Sequence, residues 1–216
     1  MSLTLPISDR AWNKVVVYGL GASGMAASRL LRAHGVEVWA CDRRAEVALA
    51  ELADDPGVTI MLGIDPDTLP ESIDAVVTSP GVPADRPLFT LAREAGIPVV
   101  AEVELAYHLL DGPVIGITGS NGKSTVTALT TTMLRAAGHD AASCGNFGEP
   151  LAAHALGPTG RTFVVELSSF QLETIEAFRP HAAAVLNLSP DHLDRHGSLE
   201  AYKAAKARIL HQQTAT

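Results

Sequence analysis

A chain of 216 residues with a formal net charge of −8 lacks the surplus of lysine and arginine by which proteins displace counterions from duplex nucleic acid, so nucleic-acid binding is excluded as its role. Hydrophobic residues at 47% and charged residues at 19% exclude a disordered chain, and the length allows one large or two small domains. Two cysteines, Cys41 and Cys144, are too few for a disulfide framework. There is no basic-then-apolar leader and no membrane-length apolar run, so we expect a soluble, cytoplasmic monomer without a membrane partner.

In chain order, Lys14–Tyr18 reads as a β-branched strand that breaks into Gly19-Leu-Gly21-Ala22-Ser23-Gly24. A helix follows to Gly35, then a second strand, Val36–Cys41, ending in Asp42. Strand, GxGxxG, helix, strand and acid together read, by themselves, as a dinucleotide site. The alternation continues with a helix over Ala45–Ala53 and strands over Val58–Leu62 and Asp74–Thr78. The turn Ser79-Pro80-Gly81-Val82 comes next, then a helix from Pro87 to Gly96 and a strand over Ile97–Val100. Such alternation implies a parallel sheet with ligands held outside the carboxyl ends of its strands. GLGASG, Asp42, Arg43, Arg44 and the SPGV turn therefore share one rim. Each keeps a plain alternative: close packing for the glycines, helix capping for Asp42 and solvated charge for the arginines.

A helix over Glu102–Leu110 and the breaker Asp111-Gly-Pro113 precede the strand that opens VIGITGSNGKST, Val114–Thr125. Here strand, glycine loop and helix succeed one another, so the N–H groups of Gly119, Ser120, Asn121 and Gly122 can converge on a phosphate at the helix's positive end. Lys123 can then reach the β and γ phosphates of ATP, while Ser124 or Thr125 ligates Mg²⁺. The usual first glycine of a phosphate loop is replaced by Ile117, between Gly116 and Gly119. Downstream, the helix runs Ser124–Ala137, and Gly145, Gly148 and Pro150 mark a loop that presents Asn146. Thr162–Glu166 is a buried-strand pattern ending in an acid suited to Mg²⁺, with capping of the next segment as the alternative role for Glu166. Leu167–Leu172 reads as a polar loop, and the strand His181–Leu186 delivers the polar run Asn187–His196. His192 and His196 are four apart, but Pro190 and Gly197 argue against one helix carrying both, and His196 reads as a surface histidine. A last helix, Leu199–His211, is capped by Ser198, and its Lys203 and Lys206 read as a solvated basic face.

GITGSNGKST, VVELSSFQLE and NLSPDHLDRHGS, followed by YKAAKARI, together resemble the Mur ligases of peptidoglycan synthesis, from about Val15 to Leu210. SSFQLE and DHLDRH point to the branch that adds D-glutamate. The resemblance implies an α/β chain: a Rossmann-like domain over 1–101 that holds a UDP-sugar, then a truncated P-loop NTPase-like domain over 102–216 that holds ATP. It implies that Gly21, Ala22, Ser23, Asp42 and Arg43 meet the uridine end, with Arg43 replacing a threonine often found there. Ser79, Pro80 and Gly81 would meet the neighbouring nucleotide, Asn146 and Gln171 the muramyl-alanine portion, and Ser168 would be a further substrate-binding residue. Lys123 would act on the phosphates, and Ser124, Glu166, His192 and a carbamylated Lys206 would hold Mg²⁺.

The implied reaction is ATP-dependent. The alanine carboxylate of UDP-N-acetylmuramoyl-L-alanine attacks the γ-phosphate, and the amine of D-glutamate displaces phosphate from the acyl phosphate to form an amide. Family members carry a third, amino-acid-binding domain, expected to be absent here, so the expectation is a fragment that binds the UDP-substrate and turns over poorly. Two rivals remain: a non-catalytic UDP-sugar-binding module derived from a ligase, and an NAD-dependent oxidoreductase. The latter leaves GSNGKST, Glu166 and His192 without a role.

Overall fold

The computed structural model describes residues 3–7 and 10–211; Met1, Ser2, Ser8, Asp9 and residues 212–216, which the expected domain limits include, lie outside the described residues. Two parallel sheets follow one another. The first joins β1 (Lys14–Tyr18), β2 (Glu37–Asp42), β3 (Val58–Leu62), β4 (Ala75–Thr78) and β5 (Val99–Ala101) in the order β3-β2-β1-β4-β5. β1 and β4 are valine-rich and almost wholly buried, as strands covered by helices on both faces must be. Strand order reverses between β1 and β4, where Tyr18 pairs with Thr78, so the chain leaves both strands on either side of one crevice. GLGASG and the SPGV turn are thereby set side by side, and Ser79 Oγ donates to the Gly19 carbonyl at 2.5 Å.

α1 (Ala22–Ala33) begins inside the glycine motif, three residues before its expected start. Gly24 is why it can: a Cβ there would lie 1.9 Å from the Gly19 carbonyl oxygen. The helix expected over 45–53 is not formed; only a 3-10 turn, Ala50–Ala53, appears. Val47 and Leu49 pack onto the core two residues apart, a spacing that a helix would carry to different faces, and burial prevails over alanine-rich propensity. α2 (Pro87–Glu94) has proline in its first turn, as expected.

α3 (Glu102–Tyr107) leads to the second sheet, β6 (Val114–Thr118), β7 (Ala141–Gly145), β8 (Thr162–Glu166) and β9 (Ala182–Val185), ordered β7-β8-β6-β9. β7 is a strand that the sequence hides. Ala-Ala-Ser-Cys-Gly has no β-branched residue, and its pairing with β8 decides the matter. The sheet is crossed by α4 (Lys123–Ala136), α5 (Leu151–His154) and α6 (Ser169–Leu172), and the chain closes with α7 (Leu193–His196) and α8 (Leu199–Ala207). α6 replaces the expected loop; Ser168 and Gln171 form its capping box, so Glu166 is not the cap. β9 is an outer strand and only half-buried. One hydrophobic core runs through both sheets: Val15, Val17, Leu30 and Leu31 share it with Val103, Leu151, Phe163 and Phe178, joined through α1, α3 and α5.

Candidate active site

The glycine loop after β6 is held from the side by the segment that follows β9. Asn187 Oδ1 accepts the Asn121 N–H at 2.9 Å, and Asn187 Nδ2 donates to the Asn121 carbonyl at 2.9 Å. The Ser120 N–H donates to the Asn187 carbonyl at 3.0 Å, and the Ser120 hydroxyl lies 2.9 Å from the Tyr202 hydroxyl. A Cβ on Gly119, at φ 153°, would meet Leu186 Cβ at 3.1 Å, so this close approach needs glycine. Gly122, at φ 81°, starts α4 with no side-chain cap. The N–H groups of that helix's first turn, on Lys123, Ser124 and Thr125, have no partner within the helix and stand at its positive end. Ser124 and Thr125 are exposed, and Lys123 Nζ folds back to the Ser120 carbonyl at 3.0 Å.

Lys206 overturns the reading of a solvated basic face. It is 2% exposed; Nζ donates to the Gly119 carbonyl at 2.9 Å and to Thr118 Oγ1 at 3.3 Å, 4.8 Å from the Tyr202 ring centre. Burial, reinforced by the Lys123 charge, lowers its pKa to about 8, while Asp191 and Glu166 act in the opposite sense. Lys203, on the same helix, is exposed as read. Glu166 ends β8 and is buried. Its Oε1 accepts from Asn146 Nδ2 at 2.7 Å, and its Oε2 is buried with no hydrogen-bond partner. A buried carboxylate oxygen left without a donor is costly unless a cation or proton completes it, so this position fits a hard divalent ion. Among the described residues no three His, Cys, Asp or Glu side chains converge as a ready-made metal cluster. His192 does not contact Glu166: it is exposed, in the left-handed region at φ 49°, with its ring against Phe170 and Nε2 3.6 Å from Asp191.

His196 is the other correction. Its side chain is 2% exposed, with Nδ1 3.0 Å from Glu173, Nε2 2.9 Å from Ser169 Oγ and the ring stacked on Phe170. Burial lowers its pKa, opposed by Glu173. Gln171 is buried by its capping role; Oε1 accepts from the Ser168 N–H at 2.9 Å, and Nε2 has no partner.

On the first sheet's rim, Tyr18, Gly21, Asp42, Arg43, Ser79 and Gly81 line a cavity of about 300 Å³. Asp42 accepts the Leu20 N–H at 2.7 Å and a two-pronged pair from Arg44, at 2.7 and 3.0 Å. Those Arg44 bonds hold its pKa down to about 2. Asp42 thus fixes the glycine loop from behind. Ala22 is exposed and Ser23 half-buried at the opening turn of α1; Arg43, 59% exposed, lies 3.7 Å from Asp65. Pro80 contributes a carbonyl that accepts from Arg195.

A family model of the Mur ligase middle domain matches residues 117–216, and one of the MurD-like Mur ligase N-terminal domain matches residues 13–101. The chain belongs to the Mur ligase family. Similar proteins include UDP-N-acetylmuramoylalanine-D-glutamate ligases of Koribacter versatilis, 46% identical over 95% of this chain and 46% of that protein, and of Myxococcus xanthus, 48% identical over 99% and 47%. That of Anaeromyxobacter dehalogenans is 50% identical over 93% and 44%. The chain spans about half the length of these curated relatives. Two solved structures share the fold. A UDP-N-acetylmuramate:L-alanyl-gamma-D-glutamyl-meso-diaminopimelate ligase from Neisseria meningitides has a TM-score of 0.61 at 20% identity, covering 95% of this chain and 70% of that one. A murein peptide ligase from Psychrobacter arcticus has 0.56 at 19%, covering 94% and 47%.

Asn187, Asp191, Glu173 and Tyr202 join this candidate site without having been singled out by the sequence reading. For Asn187 and Asp191 a signal existed, since both lie in the polar run at the carboxyl end of β9. Glu173 and Tyr202 lie one residue beyond α6 and within α8, where only packing reveals their direction.

Proposed function

We propose that the two sheets carry the UDP-precursor and ATP sites of a ligase of peptidoglycan precursor synthesis. The reaction joins D-glutamate to UDP-N-acetylmuramoyl-L-alanine by an amide bond, through an acyl phosphate. The observation that carries this reading is a buried amine, Lys206, and a buried carboxylate with one unpartnered oxygen, Glu166, beside an uncapped helix that follows a glycine loop. Lys123 exchanges the Ser120 carbonyl for phosphate oxygens, and the first-turn N–H groups of α4 receive the same charge. Ser124, Glu166, His192 and Lys206 as its carbamate are the residues assigned to Mg²⁺, which when bound neutralises charge on the transferring phosphoryl group. Glu166 has the firmest support, from its unpartnered oxygen; Lys206 is supported by an amine that burial keeps readily deprotonated.

Gly21, Ala22, Ser23, Asp42, Arg43, Ser79, Pro80 and Gly81 are assigned to the uridine diphosphate, a reading supported by the cavity that most of them line at the strand-order reversal. Asn146 and Gln171 are assigned to the muramyl-alanine portion, and Ser168 is a further substrate-binding residue. Domains of 1–101 and 102–216 belong to the same proposal, supported by the separate sheets and the separate family matches. So does a cytoplasmic monomer; among the described residues no helix is long and apolar enough to cross a membrane.

Calorimetric titration tests the reading. UDP and Mg·ATP should each bind, and NADH should not; NADH binding in competition with UDP would sink it.

A further inference from the structure

The segment after β9 reaches the first sheet's rim through one side chain. Arg195, on α7, donates from Nη1 to the Pro80 carbonyl at 3.2 Å and from Nη2 to the Val82 carbonyl at 3.3 Å. Its guanidinium lies 3.9 Å from the Phe170 ring centre, and Nη2 is 3.4 Å from Glu173. Glu173 in turn pairs with His196, which rests on Ser169 at the start of α6, three residues beyond Glu166. A chain of packed polar groups therefore runs from the end of β8 to the turn over 79–82. That turn is a wall of the 300 Å³ cavity, through Ser79, Gly81 and Val82.

In a trans peptide the C=O and N–H point opposite ways, so anchoring the Pro80 carbonyl on Arg195 directs the Gly81 N–H away from Arg195. Gly81 lines the cavity, and even a Cβ built there would meet nothing within 4 Å, so the turn leaves this stretch of backbone open to a ligand. We propose that Arg195 is a positioning residue for the uridine-diphosphate site, fixing the 79–82 turn from the ATP side of the molecule. This rests on the reading of the cavity given above. The role suits arginine: its planar fork serves two carbonyls while its face stacks on Phe170, and a lysine can do only part of this.

The test is titration of UDP, and separately of Mg·ATP, into the unsubstituted chain, Arg195→Ala and Arg195→Lys. UDP affinity should fall about tenfold in Arg195→Ala, as expected for losing two charge-assisted hydrogen bonds that shape the site, with Arg195→Lys between. Mg·ATP affinity should move less than about twofold. Equal UDP affinities in the three proteins overturn the proposal, as does a parallel loss of both ligands at an unchanged melting temperature. If Arg195→Ala does not fold, the Arg195→Lys comparison decides by the same criterion. Failure of the unsubstituted chain to bind UDP would instead remove the uridine assignment. Deuterium uptake over residues 79–86 then decides for Arg195: faster exchange in the variants supports the clamp, and unchanged exchange overturns it.

Discussion

Lys206 Nζ and the carbonyl oxygen of Gly119 meet at 2.9 Å, which ties the last long helix to the glycine loop after β6. The amine is enclosed by Thr118, Gly119 and the Tyr202 ring, out of reach of bulk water yet within electrostatic range of Lys123, Asp191 and Glu166. Burial in such company favours the neutral form.

A neutral amine is what adds CO₂ to form a carbamate, releasing one proton. With a pKa of about 8, roughly one Lys206 in ten is neutral at pH 7, against roughly one in a few thousand for an ordinary lysine. A carbamate carbon resonance from ¹³C-labelled bicarbonate should therefore grow as pH rises from 6.5 to 8.5 and be missing in Lys206→Met. Equal labelling of that variant would refute the assignment.

Glu166→Gln replaces a buried carboxyl group whose second oxygen has no partner. The chain should keep its melting temperature to within a few degrees, because Oε2 has no hydrogen-bond partner to lose and the amide has the same size. Mg·ATP affinity should drop about tenfold or more, the cost of losing one anionic ligand to a divalent ion. A destabilised variant with intact Mg·ATP binding would contradict both expectations.

Glu102, wholly buried on α3, accepts the Ala152 N–H with one oxygen and leaves the other without a partner. Desolvation raises its pKa to about 7 from an ordinary 4.5. Between those values the folded chain holds a proton that the unfolded chain has lost, so the contribution is full below pH 4.5 and declines as pH rises towards 7. The loss is on the order of 3 kcal/mol, and Glu102→Gln should abolish that slope in denaturant melts across pH 4.5–7.5.

Asp42 behaves in the opposite sense. Its pKa of about 2, set first by Arg44, means that its stabilisation is present above pH 3.8 and is lost as pH falls towards 2. Because Arg44 is largely exposed, the contribution is about 1 to 2 kcal/mol. Asp42→Asn should lose it at neutral pH and flatten the acid limb of the stability curve.

The sheets were legible in the sequence because parallel strands are written in β-branched runs: buried β1 and β8, and the half-buried outer strand β3, fall on their expected residues. β7 was not, since its alanines and serine carry no strand preference and owe their conformation to β8. At the candidate site, the strand–glycine-loop–helix order and a buried acid at the end of β8 were both legible in the sequence. The orientation of Lys206 and His196 was beyond local pattern. A lysine on a helix beside Glu200 and Lys203 reads as solvated until the helix is seen to turn that face onto Gly119. His196 likewise looks exposed between charged neighbours, and only the folding of α7 over Phe170 and Glu173 encloses it.

The core shared through α1, α3 and α5 has a thermodynamic corollary. With Leu30 and Leu31 in the same apolar mass as Phe163 and Phe178, neither sheet can expose its inner face without stripping the other. Heat should melt the chain in a single transition, and a uridine ligand seated on the first sheet should slow amide exchange in β6 and β8 by mass action alone.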